Sequence, residues 1–373
     1  MIKTNEMIIA ATCTFGLESV LKKEIIQLGY SIRNTENGRV FFCSDQRAVA
    51  RANIFLRTAE RIHLVLNEFS ARDFDELFEG VKAVEWEHII EERGNIVVKG
   101  RSRKSAISSV PVAQAMTKKA VIDRLLEKSG RKKIIEQDIP FPVEIEIEKD
   151  KGRLMLDTSG TPLFKRGYRL KTGNAPIKET LAAGLILLSK WNGNQILLDP
   201  FCGSGTIPIE AAMMKKRMAP GLNRHFLSMK WKFLDRRIWL ETAQEALDIM
   251  TTDQKIEIYG VDNDDMVIDG ARSNAQEAEV DDIVSLKKAD IKDLTLTFRE
   301  GVIITNPPYG ERLGTKYDSD RLYKYLKNAY SRNPGWSLNI ITPHPKFQEL
   351  FGKAQKKRKL YNGNLKCHYY SYF

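Results

Sequence analysis

The chain is poor in the residues that build covalent or metal-held frameworks. Its four cysteines, Cys13, Cys43, Cys202 and Cys367, lie far apart and form no C-x-x-C pair. That spacing excludes a disulfide scaffold and a zinc ribbon and reads as reduced cytosolic thiols. Five histidines, His63, His88, His225, His344 and His368, never recur at H-x-x-x-H spacing, so no metal site is expected. No apolar run approaches the roughly 20 residues of a membrane span, and Met1–Glu6 has none of the features of a signal peptide, so the expectation is a cytoplasmic protein. Internal repeats are also absent. Acidic residues are outnumbered, 48 Asp and Glu against 59 Lys and Arg, for a net charge of +11. That balance favours a polyanionic partner over a merely soluble basic protein. At 373 residues with a 42% apolar fraction, two or three domains with real cores are expected.

Against these absences one stretch stands out, Gln195–Ala212. Ile196–Leu198 is the apolar run of a buried parallel strand, Asp199 falls at its end, Gly203-Ser-Gly205 makes a side-chain-poor turn, and Thr206–Met214 reads as a helix. A strand, glycine loop and helix in this order bring backbone N–H groups and a helix N-terminus up to a ligand. The turn is not a phosphate-cradling P-loop, because no Lys follows its glycines, nor a G-x-G-x-x-G dinucleotide fingerprint, because Ile207 and Pro208 follow Gly205. Similar apolar runs end in carboxylates at Asp262 (Ile258–Asp264) and at Asp290 (Ser285–Asp293). Gly301–Thr305 then runs into Asn306-Pro-Pro-Tyr309. Carboxylates at successive strand ends point to a nucleotide or nucleoside ligand at the edge of a parallel sheet.

Upstream of this unit the elements are short and alternate. A strand is expected at Glu6–Ala11, and Leu17, Val20, Leu21, Ile25 and Leu28 recur at helical spacing up to Gly29. Strands Arg39–Cys43 and Arg61–Leu66 flank a helix over Gln46–Leu56, the pattern of a small ferredoxin-like lobe. Asn95–Lys99 is a further strand. From Lys99 to Lys119 there is no acidic residue, while Arg101, Arg103, Lys104, Lys118 and Lys119 are interspersed with serines. Basic groups and small hydroxyls are what phosphate contacts use, although a solvated basic face has the same composition. Phe141–Glu148 alternates strictly and reads as a half-exposed strand with its glutamates in water. Lys215–Lys255 interrupts the alternation, with Trp231 and Trp239 read as core residues covering an insertion in preference to base-stacking platforms. A charge run, Lys353–Lys359, precedes tail strands within Asn364–Phe373 that close the sheet as an antiparallel pair.

Taken together, Asp199-Pro-Phe-Cys-Gly-Ser-Gly-Thr206, Gly260-Val-Asp-Asn-Asp264, Ala289-Asp-Ile291 and Asn306-Pro-Pro-Tyr-Gly310 resemble the ordered motifs of S-adenosylmethionine-dependent amino-methyltransferases. Their order and spacing resemble in particular the THUMP-domain guanine-N2 methyltransferases of large-subunit ribosomal RNA, a family whose members are often labelled N6-adenine-specific DNA methylases because Asn-Pro-Pro-Tyr is shared. Leu154–Arg169 resembles the end of a THUMP module and its junction with the catalytic domain. The resemblance implies an α/β chain in which a ferredoxin-like lobe (1–66) and a THUMP RNA-binding domain (67–160, the family match beginning near 45) precede a Rossmann-like methyltransferase with a mixed seven-stranded sheet (161–373).

For the site, the resemblance implies S-adenosylmethionine held by Asp199, Pro200, Phe201, Cys202, Gly203, Ser204, Gly205 and Thr206, with Asp262 and Asn263 at the ribose and Asp290 and Ile291 at the adenine. Asn306, Pro307, Pro308 and Tyr309 are the catalytic set. An amide carbonyl and a proline carbonyl accept hydrogen bonds from an exocyclic amine, and Tyr309 stacks on the extruded base. Arg101, Arg103, Lys104, Lys118, Lys119, Lys165, Arg166, Arg169 and Arg312 are the candidate RNA contacts, with Arg312 equally able to pair with Glu311. The expected reaction is methylation of guanine N2 in RNA, foremost 23S rRNA. An N6-adenine DNA methyltransferase and a non-catalytic RNA-binding assembly factor are the alternatives. The target nucleotide, any protein partner and the oligomeric state are not legible in the sequence.

Overall fold

A computed structural model describes residues 7–169, 176–252, 255, 257–309 and 316–373, the last range without the side chains of 316–318. The first part of the chain runs β1 (Met7–Cys13), α1 (Glu18–Gln27), β2 (Ser31–Glu36), β3 (Arg39–Ser44), α2 (Gln46–Phe55), β4 (Ala59–Ser70), α3 (Phe74–Lys82), β5 (Asn95–Arg103), α4 (Val110–Ser129), β6 (Pro140–Glu148) and β7 (Lys151–Asp157). These strands form one seven-stranded sheet in the order β2-β3-β1-β4-β7-β6-β5. It is antiparallel throughout except for the parallel pair β5 and β6.

The long strand β4 is what makes the sheet continuous. Its first half pairs with β1, as in Ala10↔His63, and its second half with β7, as in Ser70↔Lys151. A boundary at 66/67 therefore falls inside a strand shared by both halves. The helices follow their apolar periodicity: α1 buries Val20, Leu21 and Ile25 behind Leu17. Both α2 and α3 start where an aspartate cap is available, Asp45 accepting from the Ala48 amide at 3.3 Å and Asp73 from the Glu76 amide at 2.8 Å.

The second part runs α5 (Glu179–Leu188), β8 (Leu197–Asp199), α6 (Thr206–Lys215), α7 (Arg237–Asp248), β9 (Ile258–Asp262), α8 (Asp265–Glu277), β10 (Val284–Lys288), β11 (Gly301–Thr305), α9 (Lys316–Ser331), β12 (Trp336–Thr342), α10 (Phe347–Phe351), β13 (Lys356–Asn362) and β14 (Leu365–Tyr372). Its sheet has the order β10-β9-β8-β11-β12-β14-β13. The first five strands are parallel, and β14 joins them antiparallel and carries β13 at the edge. Every residue of β11 is buried, as expected of a central parallel strand covered on both faces. Chain order reverses between β8 and β11, and in such open sheets ligands collect at the carboxyl ends of the strands at that reversal.

Two sequence expectations are corrected here. The glutamates of β6 do not all face water: Glu146 is buried and ion-paired with Arg39 and Arg101. Strand alternation only states which residues share a face, and this face carries arginines from β3, β5 and β7. The charge run 353–359 is not merely a lead-in, since Lys356–Asn362 is itself the first strand of the closing hairpin. An edge strand can carry lysines in place of apolar alternation because its outer side faces solvent.

The insertion between α6 and β9 ties the two parts together. Trp231 is fully buried, stacks on Phe141 of β6 with ring centroids 5.3 Å apart, and donates its indole N–H to the Pro140 carbonyl at 3.2 Å. Trp239 is buried against Phe226. Both tryptophans are core residues, as expected. Alongside, Arg51 of α2 forks onto Glu245 of α7, with Nη2 to Oε1 at 2.7 Å.

Candidate cofactor and methyl-transfer site

A cavity of about 810 Å³ opens at the carboxyl ends of β8, β9, β10 and β11. Its volume lies within the range of small-molecule and cofactor pockets. Asp199 is its most buried carboxylate. The Asp199 Oδ1 accepts from the Thr305 hydroxyl at 2.6 Å and from the Phe201 amide at 3.1 Å. These bonds fix its rotamer but do not offset burial, which, with the nearby Asp262 charge, pushes its carboxyl up to about 7. A carboxylate held this way is stabilised by an incoming cation.

The turn that follows is shaped by glycine. Gly203 and Gly205 both have positive φ, +53° and +80°, which L-residues with a side chain adopt only at a cost. Gly205 donates its amide to the Cys202 carbonyl at 2.9 Å and stands as the N-cap of α6. On the next strand Asp262 accepts from the Gly203 amide at 3.1 Å and the Asp264 amide at 3.2 Å, so it locks the glycine turn against the end of β9. Burial pushes its carboxyl above the usual range as well. Asp290 is the opposite case: the Lys292 amide, donating to its Oδ1 at 3.0 Å, holds its carboxyl below the usual range. Three strand-end aspartates thus face one cavity in distinct electrostatic settings.

Asn306 lies at the carboxyl end of β11 and is 9% exposed. Its Oδ1 is buried and has no hydrogen-bond partner among the described residues. Such an acceptor carries a desolvation cost of about 1–3 kcal/mol unless a ligand donor reaches it. Asn306 and Pro308 line the same cavity as Asp199; Pro307 and Tyr309 do not. The Tyr309 hydroxyl accepts instead from the Asn362 amide at 2.6 Å, which holds the tyrosine toward the closing hairpin.

Of the expected cofactor residues, Asp199, Pro200, Phe201, Cys202, Gly203, Ser204, Thr206, Asp262, Asn263, Asp290 and Ile291 line the cavity together, while Gly205 lies behind them. The expected RNA contacts divide more unevenly. Arg166 is corrected: its side chain is buried, 3.4 Å from Glu210, and donates to the Leu163 carbonyl at 2.7 Å, so it cannot reach an external partner. Arg169 is likewise engaged inward, with Glu179 at 3.2 Å and the Thr206 hydroxyl at 2.9 Å. Arg101 pairs with Glu146 and Lys118 with Glu136 at 2.9 Å. Arg103, Lys104, Lys119 and Lys165 are exposed. Arg312 and Glu311 lie outside the described residues.

Two features escaped sequence reasoning. Thr305 touches Asp199 from 106 positions away, a contact that no local pattern signals. Glu179, the first residue of α5, is buried, and burial pushes its carboxyl up to about 7 in spite of Arg169. Its Gly-poor, Ala- and Leu-rich helix was the available clue, since an acidic residue opening so apolar a helix is rarely free in solvent.

Comparison with known proteins fits this geometry. Residues 166–371 match the RMKL-like methyltransferase domain. The chain belongs to this methyltransferase family. Residues 8–63 and 71–157 match the RlmL ferredoxin-like domain and the THUMP domain. Among curated relatives, "Putative RNA methyltransferase YpsC" of Bacillus subtilis is 43% identical over 97% of this chain and 95% of its own length. The ribosomal RNA large subunit methyltransferase K/L of Marinomonas sp. is 30% identical over 97% of this chain but 52% of its own length, so the chain spans about half of that relative. The solved structure of SMU.472 complexed with SAH, described as a putative methyltransferase, superposes with a TM-score of 0.94 at 40% identity and covers 99% of this chain and 98% of its own. The methyltransferase is S-adenosylmethionine-dependent, and the side chains around its cavity fit that cofactor: buried Asp199 has no ion-pair partner among the described residues, and Asp262 and Asp290 offer acceptors at neighbouring strand ends. Among the described residues no cluster of His, Cys, Asp and Glu could hold a metal ion, and no helix is long and apolar enough to cross a membrane.

Proposed function

We propose that this methyltransferase acts on RNA, transferring a methyl group to the exocyclic N2 amine of a guanine, with 23S rRNA as the substrate. The observation that carries this reading is the buried Asn306 Oδ1, without a hydrogen-bond partner among the described residues, on the wall of the cavity that also holds Asp199. An exocyclic amine is a poor nucleophile because its lone pair is delocalised into the ring. Accepting a hydrogen bond from that amine, Asn306 Oδ1 and the Pro307 carbonyl draw the lone pair out of conjugation, an effect that grows as positive charge develops on nitrogen. The bound cofactor supplies the methyl group from a sulfonium, so no metal or covalent enzyme intermediate is required. Asp199 would hold the cofactor's amino group, Asp262 its ribose diol and Asp290 with the Ile291 backbone its adenine edge. The protein's main contribution is then positioning, which can supply about 7–11 kcal/mol of the barrier. Tyr309, steadied by Asn362, stacks on the base once it is extruded.

The division of labour we propose follows the boundaries 1–66, 67–160 and 161–373, with the first two sharing a sheet and the exposed Arg103, Lys104, Lys119 and Lys165 meeting RNA phosphates. The THUMP match and the RNA-directed names of the curated relatives support RNA over DNA. We infer that the reaction takes place in the cytoplasm. Incubation of the protein and radiolabelled cofactor with unmodified 23S rRNA and with DNA, followed by nucleoside mass analysis, tests it. N2-methylguanosine in the RNA is expected. N6-methyladenine in the DNA would replace this reading with the alternative one.

A further inference from the structure

A second cavity, of about 550 Å³, lies between the turn after β1 and the edge strand β13, lined by Thr14, Phe15, Glu60, Lys178, Lys359 and Tyr361 together with Gly363. Phe15 is 40% exposed, unusual for an aromatic ring in a turn that is otherwise anchored. The anchoring is firm: Arg358 donates to the Gly16 carbonyl at 2.9 Å and to the Ser19 hydroxyl at 3.0 Å. Phe15 meets Tyr361 edge to face at 5.8 Å, and Lys359 Nζ sits 5.5 Å and 5.3 Å from the two rings. The charge of Glu60 is already taken up, by Lys178 at 3.0 Å and the Thr14 hydroxyl at 3.0 Å. Lys359 has no carboxylate partner among the described residues, nor have its exposed neighbours Lys356 and Lys357. Lysines alone on an edge strand would serve to deter strand pairing. An exposed ring beneath one of them is not explained that way.

The cavity also borders the transfer site. Lys178 lines it, while its neighbours Pro176 and Ile177 line the cofactor cavity. Tyr361 is followed by Asn362, which holds the Tyr309 hydroxyl. An exposed aromatic ring and a lysine with no carboxylate partner among the described residues, beside the tyrosine proposed to stack on the target base, are the elements of a single-strand nucleic-acid platform.

We propose that this cleft holds a nucleotide flanking the target base, its base stacked on the open face of Phe15 and its phosphate on Lys359. Because the two rings are already in edge contact, the base lies over Phe15 and does not slide between them. The proposal rests on the RNA reading above. It is tested with the full-length protein, unmodified 23S rRNA transcribed in vitro and radiolabelled cofactor. Phe15→Ala should raise KM for the RNA about tenfold with kcat changed by less than about twofold, and Phe15→Trp should restore it. Lys359→Ala should lower the slope of log KM against log salt by about 0.7, the value for one phosphate of a single strand. Cofactor affinity and the thermal midpoint should not change in any of the three. If the wild type methylates the RNA and neither Phe15→Ala nor Lys359→Ala alters KM or its salt slope, the cleft proposal fails alone. If the wild type transfers no methyl group to this RNA, the RNA reading fails and takes the cleft proposal with it.

Discussion

At the scale of single residues, the site is governed by what burial does to Asp199. Its carboxyl titrates near 7 in the free protein against an ordinary 3.8, so around neutral pH it exchanges between acid and carboxylate. A cation binds only the carboxylate. Cofactor affinity should therefore rise with pH up to about 7, by up to about tenfold per pH unit, and level off above it. The stability of the free protein should run the other way. A raised folded value contributes stability below 3.8 that is lost as pH climbs through about 7. Buried Glu179, also near 7, adds a loss of the same sign. Calorimetric titration of the cofactor from pH 6 to pH 8, with thermal melts of the free protein over the same range, checks both signs. An Asp199→Asn variant should lose most of the affinity and all of the pH slope attributable to this carboxyl.

At the scale of elements, the glycine turn between β8 and α6 makes a graded prediction. An added Cβ at Gly203 meets nothing within 4 Å, so Gly203→Ala carries only the backbone cost of positive φ, about 1–2 kcal/mol. At Gly205 the same backbone cost applies, and the Cβ also comes within 3.2 Å of Ala271 Cβ and 3.3 Å of Ile209 Cδ1. Chemical denaturation should show Gly205→Ala to be the more destabilising of the two. The elements that build this site were legible because parallel strands buried on both faces read as plain apolar runs, as at Gly301–Thr305. The elements that were not legible have little such signal. Strand β2 (Ser31–Glu36) is polar and lies at an edge, and β13 begins with four consecutive basic residues. Residue roles failed where long-range contacts decide them. Arg166 shares its stretch of sequence with exposed Lys165, and only the fold reveals Glu210 beside it. Glu146 alternates with Ile145 and Ile147 like its neighbours, yet arginines from three other strands surround it.

At the scale of the whole molecule, the insertion between α6 and β9 decides whether the first sheet and the catalytic sheet move as one body. Trp231 contributes most visibly, buried between Phe141 of the first sheet and Phe233 of its own segment. Trp231→Ala should cost about 3–5 kcal/mol and, by loosening this joint, separate a single thermal transition into two. A conservative Trp231→Phe should retain one transition at a lower midpoint. Through the same joint the RNA contacts proposed at Arg103, Lys104 and Lys119 are tied to the sheet that ends in Asn306. In the proposed chemistry the Asn306 carboxamide activates an exocyclic amine next to a cofactor held by Asp199. The most direct test follows label from radiolabelled cofactor into unmodified 23S rRNA with wild type and Asn306→Ala side by side. N2-methylguanosine is expected with the wild type, and a loss of at least about 100-fold in the variant, with cofactor and RNA binding unchanged. Equal transfer by the two proteins would rule out that role for Asn306.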